Sequence, residues 1–290
     1  DDRPMGSFAD MLAAVPRGDY PAYAEAHVRE LIARYRPSVL WNDIAWPAAG
    51  KQLWPLFAHY YEQVPDGVVN DRWMPWNALM GATRLGPVQK AINKGAQRSA
   101  QRDTGIVPPK PPYFDVRTPE YTTFPDVQRT PWECVRGMDN SFGHNAQSQS
   151  GDFLSRDELL WGLADIVAKG GNLLLNVGPR GVDAQIPDEQ QTRLGWLAEW
   201  PVDALRSTRP WVTYGDGDVR YTARDDTVYL VVRHATASAL LTSVRSTPTT
   251  QVAALDGTAL DWGDTGAGLR VSVPAGEPAV VVLRDVDARS

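Results

Sequence analysis

Two carboxylates stand where a chain could use them for catalysis. Asp43 closes the apolar run "VLWND" (39–43), and Glu120 lies in "TPEY" (118–121). Carboxylates at the C-terminal ends of successive barrel strands converge on one rim. A pair on such a rim suits glycoside hydrolysis with retention. One carboxyl is ionised and attacks, while the other is protonated and serves the leaving oxygen, with about 5 to 5.5 Å between them. Each acid also has a plainer reading, Asp43 as a helix N-cap or loop-ordering group and Glu120 as a solvated loop acid. Arg72 in "NDRW" either pairs with Asp71 or a helix acid, or faces the same rim and hydrogen-bonds sugar hydroxyls.

Other chemistries find less support. Cys134 is alone, so no intrachain disulfide forms, and it reads as a buried small hydrophobe. His27, His59, His144 and His234 lack metal-ligand spacing, the acids form no calcium loop, and no G-x-G-x-x-G turn follows a strand. No metal and no cofactor are therefore assigned. Eleven tryptophans and ten tyrosines supply aromatic faces of the kind that stack on sugar rings, although most must be core.

The elements that would hold these groups alternate in type. "YPAYAEAHVRELIARY" (20–35) places Tyr23, His27, Leu31 and Tyr35 at steps of four beside Val28 and Ile32, which predicts a helix ended by Pro37. "SVLWND" reads as a strand, and "KQLWPLFAHYYEQV" (51–64) as a second helix with Pro55 near its first turn. "GVVNDRW" (67–73), "PYFDVRTPEY" (112–121) and "WECVRGMDNSF" (132–142) are further strand candidates, and residues 74–111 read as a long loop around the helical piece "VQKAINKGAQ". Ser155 and Glu158 form a capping box for a helix stopped by Gly170-Gly171. "NLLLNVGP" (172–179) then reads as a parallel strand buried on both faces. A helix from Pro187 to about Trp200 follows, with Asp188 and Glu189 at the positive end of its dipole.

The expected fold class is therefore α/β, a (β/α)8-type (TIM-like) barrel over residues 1–209. Residues 210–290 change texture, with β-branched runs such as "TVYLVV" and "AVVVL" between Gly, Asp and Pro turns, and predict a C-terminal antiparallel β-sandwich. A complete eightfold barrel takes about 250 residues, or about 200 at the compact limit. Residues 1–209 offer only about five convincing strands, so the chain is expected to hold the later strands of the barrel. At 290 residues, 43% hydrophobic and net charge −6, it has ample core and no basic face for nucleic acid. No run approaches the roughly 18 apolar residues of a membrane helix. The opening "DDRPMGSFAD" lacks a signal-peptide pattern, and no compartment is assigned.

In order, "YRPSVLWNDIAWP", "GVVNDRW", "DVRTPEY", "WECVRGMDNSFGHN" and "GGNLLLNVGPRGVDAQIPDEQQTRLGWLAEW" resemble consecutive landmarks of the α-L-fucosidases of glycoside hydrolase family 29. The resemblance runs from residue 20 to about 205 and implies a barrel followed by a β-sandwich. It places Asp43 at the nucleophile position and Glu120 at the acid/base position used by one branch of the family, with Glu133 in "WEC" as the alternative acid. Trp41 and Arg72 match positions that contact the fucose ring and its hydroxyls. The implied partner is a fucosylated oligosaccharide or glycoconjugate, with neither nucleic acid nor membrane. The first barrel strands of that family, which carry further sugar-binding residues, have no counterpart here, and an upstream segment or a second polypeptide is expected to complete the barrel. The alternative function is a non-hydrolytic glycan-binding or scaffolding protein derived from such an enzyme.

Overall fold

In the computed structural model, residues 10, 18–43, 45–76, 85–100, 105–234 and 237–289 are described. The chain divides into two compact units, Asp1–Thr122 and Thr123–Ser290.

The first unit opens with α1 (Tyr20–Tyr35), whose bounds match the sequence periodicity. Arg36 ends it in the left-handed region and donates its N–H to the Ile32 carbonyl, as Pro37 forbids another turn. The face expected to pack is not the one that does. Ile32 is fully buried, with Val28 and Ala24 against the same cluster, whereas Tyr23, Leu31 and Tyr35 are about half exposed or more. Helix α2 (Gly50–Gln63) covers only the Ile32 side, and the Tyr23 ring instead rests on His27 of its own helix, centroids 4.2 Å apart. Leu53, Leu56, Phe57 and Tyr60 form the buried stripe of α2. Pro55 lies inside this helix, beyond its first turn, and costs it one backbone hydrogen bond.

Between these helices β1 (Val39–Leu40) pairs in parallel with β2 (Val68–Val69). Both strands are far shorter than the apolar runs suggest. The candidate strand at 112–121 is not a strand but continues the pattern irregularly. Asp115 and Val116 donate their N–H groups to the Val69 carbonyl, and Val116 makes one parallel bridge with Asn70. Within the expected loop 74–111, helix α3 (Gly86–Ala100) contains the predicted helical piece, and residues 77–84 and 101–104 lie outside the described residues.

The second unit begins with a parallel pair, β3 (Trp132–Arg136) and β4 (Gly171–Leu175), in register Trp132↔Gly171 to Arg136↔Leu175. Between them runs α4 (Arg156–Ala168), with the predicted capping box formed: Ser155 Oγ accepts the Glu158 N–H while the Glu158 carboxylate accepts the Ser155 N–H. The two glycines after α4 do different work. Gly170 takes φ +82° to leave the helix, and Gly171 gives room to the Trp132 indole, which would stand 2.4 Å from a Cβ there. Strand β4 is not buried on both faces: Asn172 and Leu174 are exposed, because β3 is its one sheet neighbour among the described residues. Helix α5 (Asp188–Glu199) starts after Pro187 as expected.

The remaining strands are β5 (Arg209–Asp216), β6 (Val219–Arg224), β7 (Thr227–Val232), β8 (Ser238–Leu241), β9 (Val244–Ala254), β10 (Trp262–Thr265), β11 (Gly268–Ser272) and β12 (Ala279–Ala288). They form antiparallel sheets ordered β5-β6-β7-β12-β9 and β10-β11-β8, around a core that includes Tyr221, Leu230, Leu241, Leu269, Val281 and Leu283. The opposite face of β7 and β12, through Tyr229, Val231, Val280 and Val282, packs on Leu160, Ala164, Trp200 and Leu205. Burial on both faces explains why "TVYLVV" and "AVVVL" are apolar throughout instead of alternating.

One buried carboxylate ties α4 to the large sheet. Asp165 accepts from Arg220 Nε at 2.6 Å and from Lys169 Nζ at 2.8 Å, and the Arg220 guanidinium also lies over the Trp161 ring. Replacing Asp165 with asparagine leaves two buried cations without their counter-charge, which is expected to cost about 3 kcal/mol. In thermal unfolding the midpoint should fall by roughly 5 °C; a shift under about 2 °C would mean that the pair carries no net stability.

Candidate active site

The strand ends of the first unit build the site. Strand β1 runs into Trp41, Asn42 and Asp43, and β2 into Asn70, Asp71 and Arg72. These two segments are locked side by side by amides. Asn42 N–H donates to Asn70 Oδ1 at 2.9 Å, Asn70 Nδ2 donates to the Asn42 carbonyl at 2.8 Å, and Asn42 Nδ2 reaches the carbonyls of Ala45 and Arg72. Polar residues at strand ends thus replace ladder bonds where the strands stop.

Glu120 arrives from the third segment. Its N–H donates to the Ile106 carbonyl at 2.7 Å, and its carbonyl accepts the Ile106 N–H at 2.8 Å. Gly105, at φ +62°, makes this approach possible, since a Cβ there would meet the Glu120 carbonyl oxygen at 2.4 Å.

Arg72 brings the two acids together. Its Nη1 lies 2.7 Å from Glu120 Oε1 and 3.4 Å from Asp43 Oδ1. Because one nitrogen reaches both, these two oxygens lie no further apart than those distances laid end to end, about 6 Å, so the two carboxyls face one small space. The carboxyls differ in setting: the Asp43 side chain is 72% exposed, whereas Glu120 is 18% exposed and Arg72 10%. Asp43 is therefore open to a ligand, and Glu120 is no solvated loop acid. Trp41 directly follows β1, 39% exposed, two residues before Asp43.

Asp71, the neighbour offered as a partner for Arg72, pairs elsewhere. It is buried and accepts the Thr118 N–H and hydroxyl at Oδ1, while Oδ2 faces Arg117 Nε at 3.5 Å. Thr118 is the site residue that sequence reasoning missed. Its hydroxyl accepts from Arg72 Nε at 2.9 Å and its carbonyl from Arg72 Nη2 at 2.8 Å. The one hint lay in its place two residues before Glu120.

Glu133, the alternative acid, belongs to the second unit, on β3, half-buried. Burial pushes its carboxyl above the ordinary glutamate range. A carboxyl raised in the folded state favours folding at pH below its unfolded value, and that contribution is lost as pH rises through the folded value. Glu133→Gln should therefore gain stability relative to wild type between pH 4 and pH 7. Melting midpoints at the two pH values test this, and a pH-independent difference would contradict it. His144 is exposed on the loop after β3, which Asn176 fastens by donating to the Phe142 carbonyl. Among the described residues no group of three or more His, Cys, Asp or Glu side chains could hold a metal ion.

With this geometry in view, the profile of the Alpha-L-fucosidase family matches residues 7–202. The chain belongs to the alpha-L-fucosidase family. The match spans both acids, Arg72 and Glu133. An alpha-L-fucosidase of Branchiostoma floridae is 30% identical over 267 residues, 86% of this chain and 52% of the relative. The tissue alpha-L-fucosidase of Bos taurus is 27% identical over 267 residues, 87% of this chain and 50% of that one. The chain spans about half the length of the curated fucosidases it matches. Among solved structures, the Thermotoga maritima alpha-fucosidase in complex with a mechanism-based inhibitor is similar with a TM-score of 0.71 at 30% identity, over 93% of this chain and 57% of that one.

Proposed function

We propose that this chain carries the catalytic pair of a retaining exo-α-L-fucosidase, acting on fucosylated oligosaccharides or glycoconjugates. In this reading residues 1–209 are the later part of a (β/α)8-type barrel and residues 210–290 its β-sandwich. The reading requires the remaining barrel strands from the same product or from a second polypeptide.

The observation that carries the proposal is the shared Arg72 nitrogen, which holds an oxygen of an exposed carboxyl and one of a shielded carboxyl at a single point, as two acids serving one glycosidic bond require. Asp43 attacks the anomeric carbon, the bond to the aglycone oxygen breaks, and Glu120 gives that oxygen its proton. Water then gives its proton back to Glu120 as it attacks the same carbon, and the Asp43–sugar bond breaks to release fucose with its configuration kept. Glu120 donates through one carboxyl oxygen while the other stays on Arg72 Nη1, whose second N–H, the one toward Asp43, turns to the sugar hydroxyls. The exposed Trp41 ring, two residues from the nucleophile, gives the sugar an apolar wall.

Proton NMR of an aryl α-L-fucoside digest tests the stereochemistry. α-L-Fucose is expected as the first product, before mutarotation; β-L-fucose first, or tight binding of fucosylated glycan with no release, would contradict the reading.

A further inference from the structure

We propose that Asp71 is the positioning residue of this site, acting through Thr118 on Arg72. The inference rests on the fucosidase reading for its kinetic consequences but on the first unit's geometry for its content.

The Thr118 hydroxyl has one proton and two lone pairs. Its proton goes to Asp71 Oδ1, 2.6 Å away, so a lone pair is turned to Arg72 Nε at 2.9 Å. The same Asp71 oxygen holds the Thr118 N–H, which sets the backbone whose carbonyl takes Arg72 Nη2. Two of the three guanidinium nitrogens are thereby fixed, and the third, Nη1, is left facing Glu120 and Asp43. Asp71 and Thr118 are both almost wholly buried, so no solvent competes for these bonds.

An acceptor-only group is what the position requires. One side of the Asp71 carboxylate faces the Thr118 N–H and hydroxyl, and the other faces Arg117 Nε. An asparagine there would turn its amide N–H2 toward a donor in either orientation. With the amide nitrogen toward Thr118 the hydroxyl direction is lost; with it toward Arg117 Nε the oxygen still serves Thr118, so removing the whole carboxylate is the cleaner test.

The test uses the full chain with Asp71→Ala, Thr118→Val and Thr118→Ser. Misplacement of a reacting group by about 1 Å can cost about 10²-fold in rate. Asp71→Ala and Thr118→Val should lower kcat/KM about 100-fold on an aryl fucoside with a poor leaving group, and about tenfold or less on one with a good leaving group, because the displaced Arg72 misplaces the acid. Thr118→Ser, which keeps the hydroxyl, should recover most of the loss. A merely structural role would reduce both substrates in the same proportion, and that outcome would overturn the proposal. Crystal structures of the wild-type chain and of Thr118→Val provide the readout that needs no activity. Arg72 Nη1 is expected to leave Glu120 in the variant, and a guanidinium unmoved from it would overturn the positioning role. A wild-type chain that is silent on both fucosides would count against the fucosidase reading, while the crystal structures would still decide the role of Asp71.

Discussion

Asp43→Gly is expected to lower turnover of an activated aryl α-L-fucoside by at least about 10³-fold, since no covalent glycosyl-enzyme can form without the attacking carboxylate. The residue is suited to such a test because its side chain is mostly exposed and its one hydrogen bond among the described residues is the long one to Arg72. Folding should thus survive the change. Azide should partly restore turnover by entering the vacated space and attacking the anomeric carbon directly. Wild-type-like hydrolysis by the variant would remove Asp43 from the mechanism.

Glu120→Ala is expected to have an effect that depends on the aglycone. General acid catalysis contributes about 10² to 10⁴-fold, and it matters most where the leaving oxygen is basic. Poor leaving groups should lose in that range, and good ones far less. The bridge of Glu120 to Ile106 uses backbone atoms alone and persists in alanine, so register is not at stake. Equal losses on both substrates would point away from Glu120 and toward Glu133, whose carboxyl burial already favours the protonated form.

Much of this fold was legible in residue patterns, and the exceptions have physical causes. Helix α1 and the capping box of α4 came out with their bounds, because periodicity and capping are local properties. Burial is not local. Leu174 and the Tyr23 face of α1 are apolar in sequence yet exposed, since the side of each that should be covered has no described neighbour. The antiparallel strands after residue 208 were readable from their turns, while the double burial of β7 and β12 became clear only with α4 placed against them.

The site shows the same division. Asp43, Arg72 and Glu120 stood out by residue type, the family resemblance implied their roles, and the structure brings those three to one nitrogen. Thr118 escaped notice because a threonine announces nothing in sequence, and Asp71 was noticed but given the wrong partner. Asp71 even stood beside Arg72 as its natural partner, yet a neighbour in sequence at a strand end points elsewhere, and the carboxylate turns to Thr118 and Arg117.

The most direct test of the central claim is to trap the covalent intermediate. Incubation of the chain with a 2-fluoro-fucosyl fluoride, followed by digestion and mass spectrometry, should find the sugar attached to Asp43 in the tryptic peptide that ends at Lys51. A label on another carboxylate, or a chain that hydrolyses fucosides and never takes the label, would contradict it.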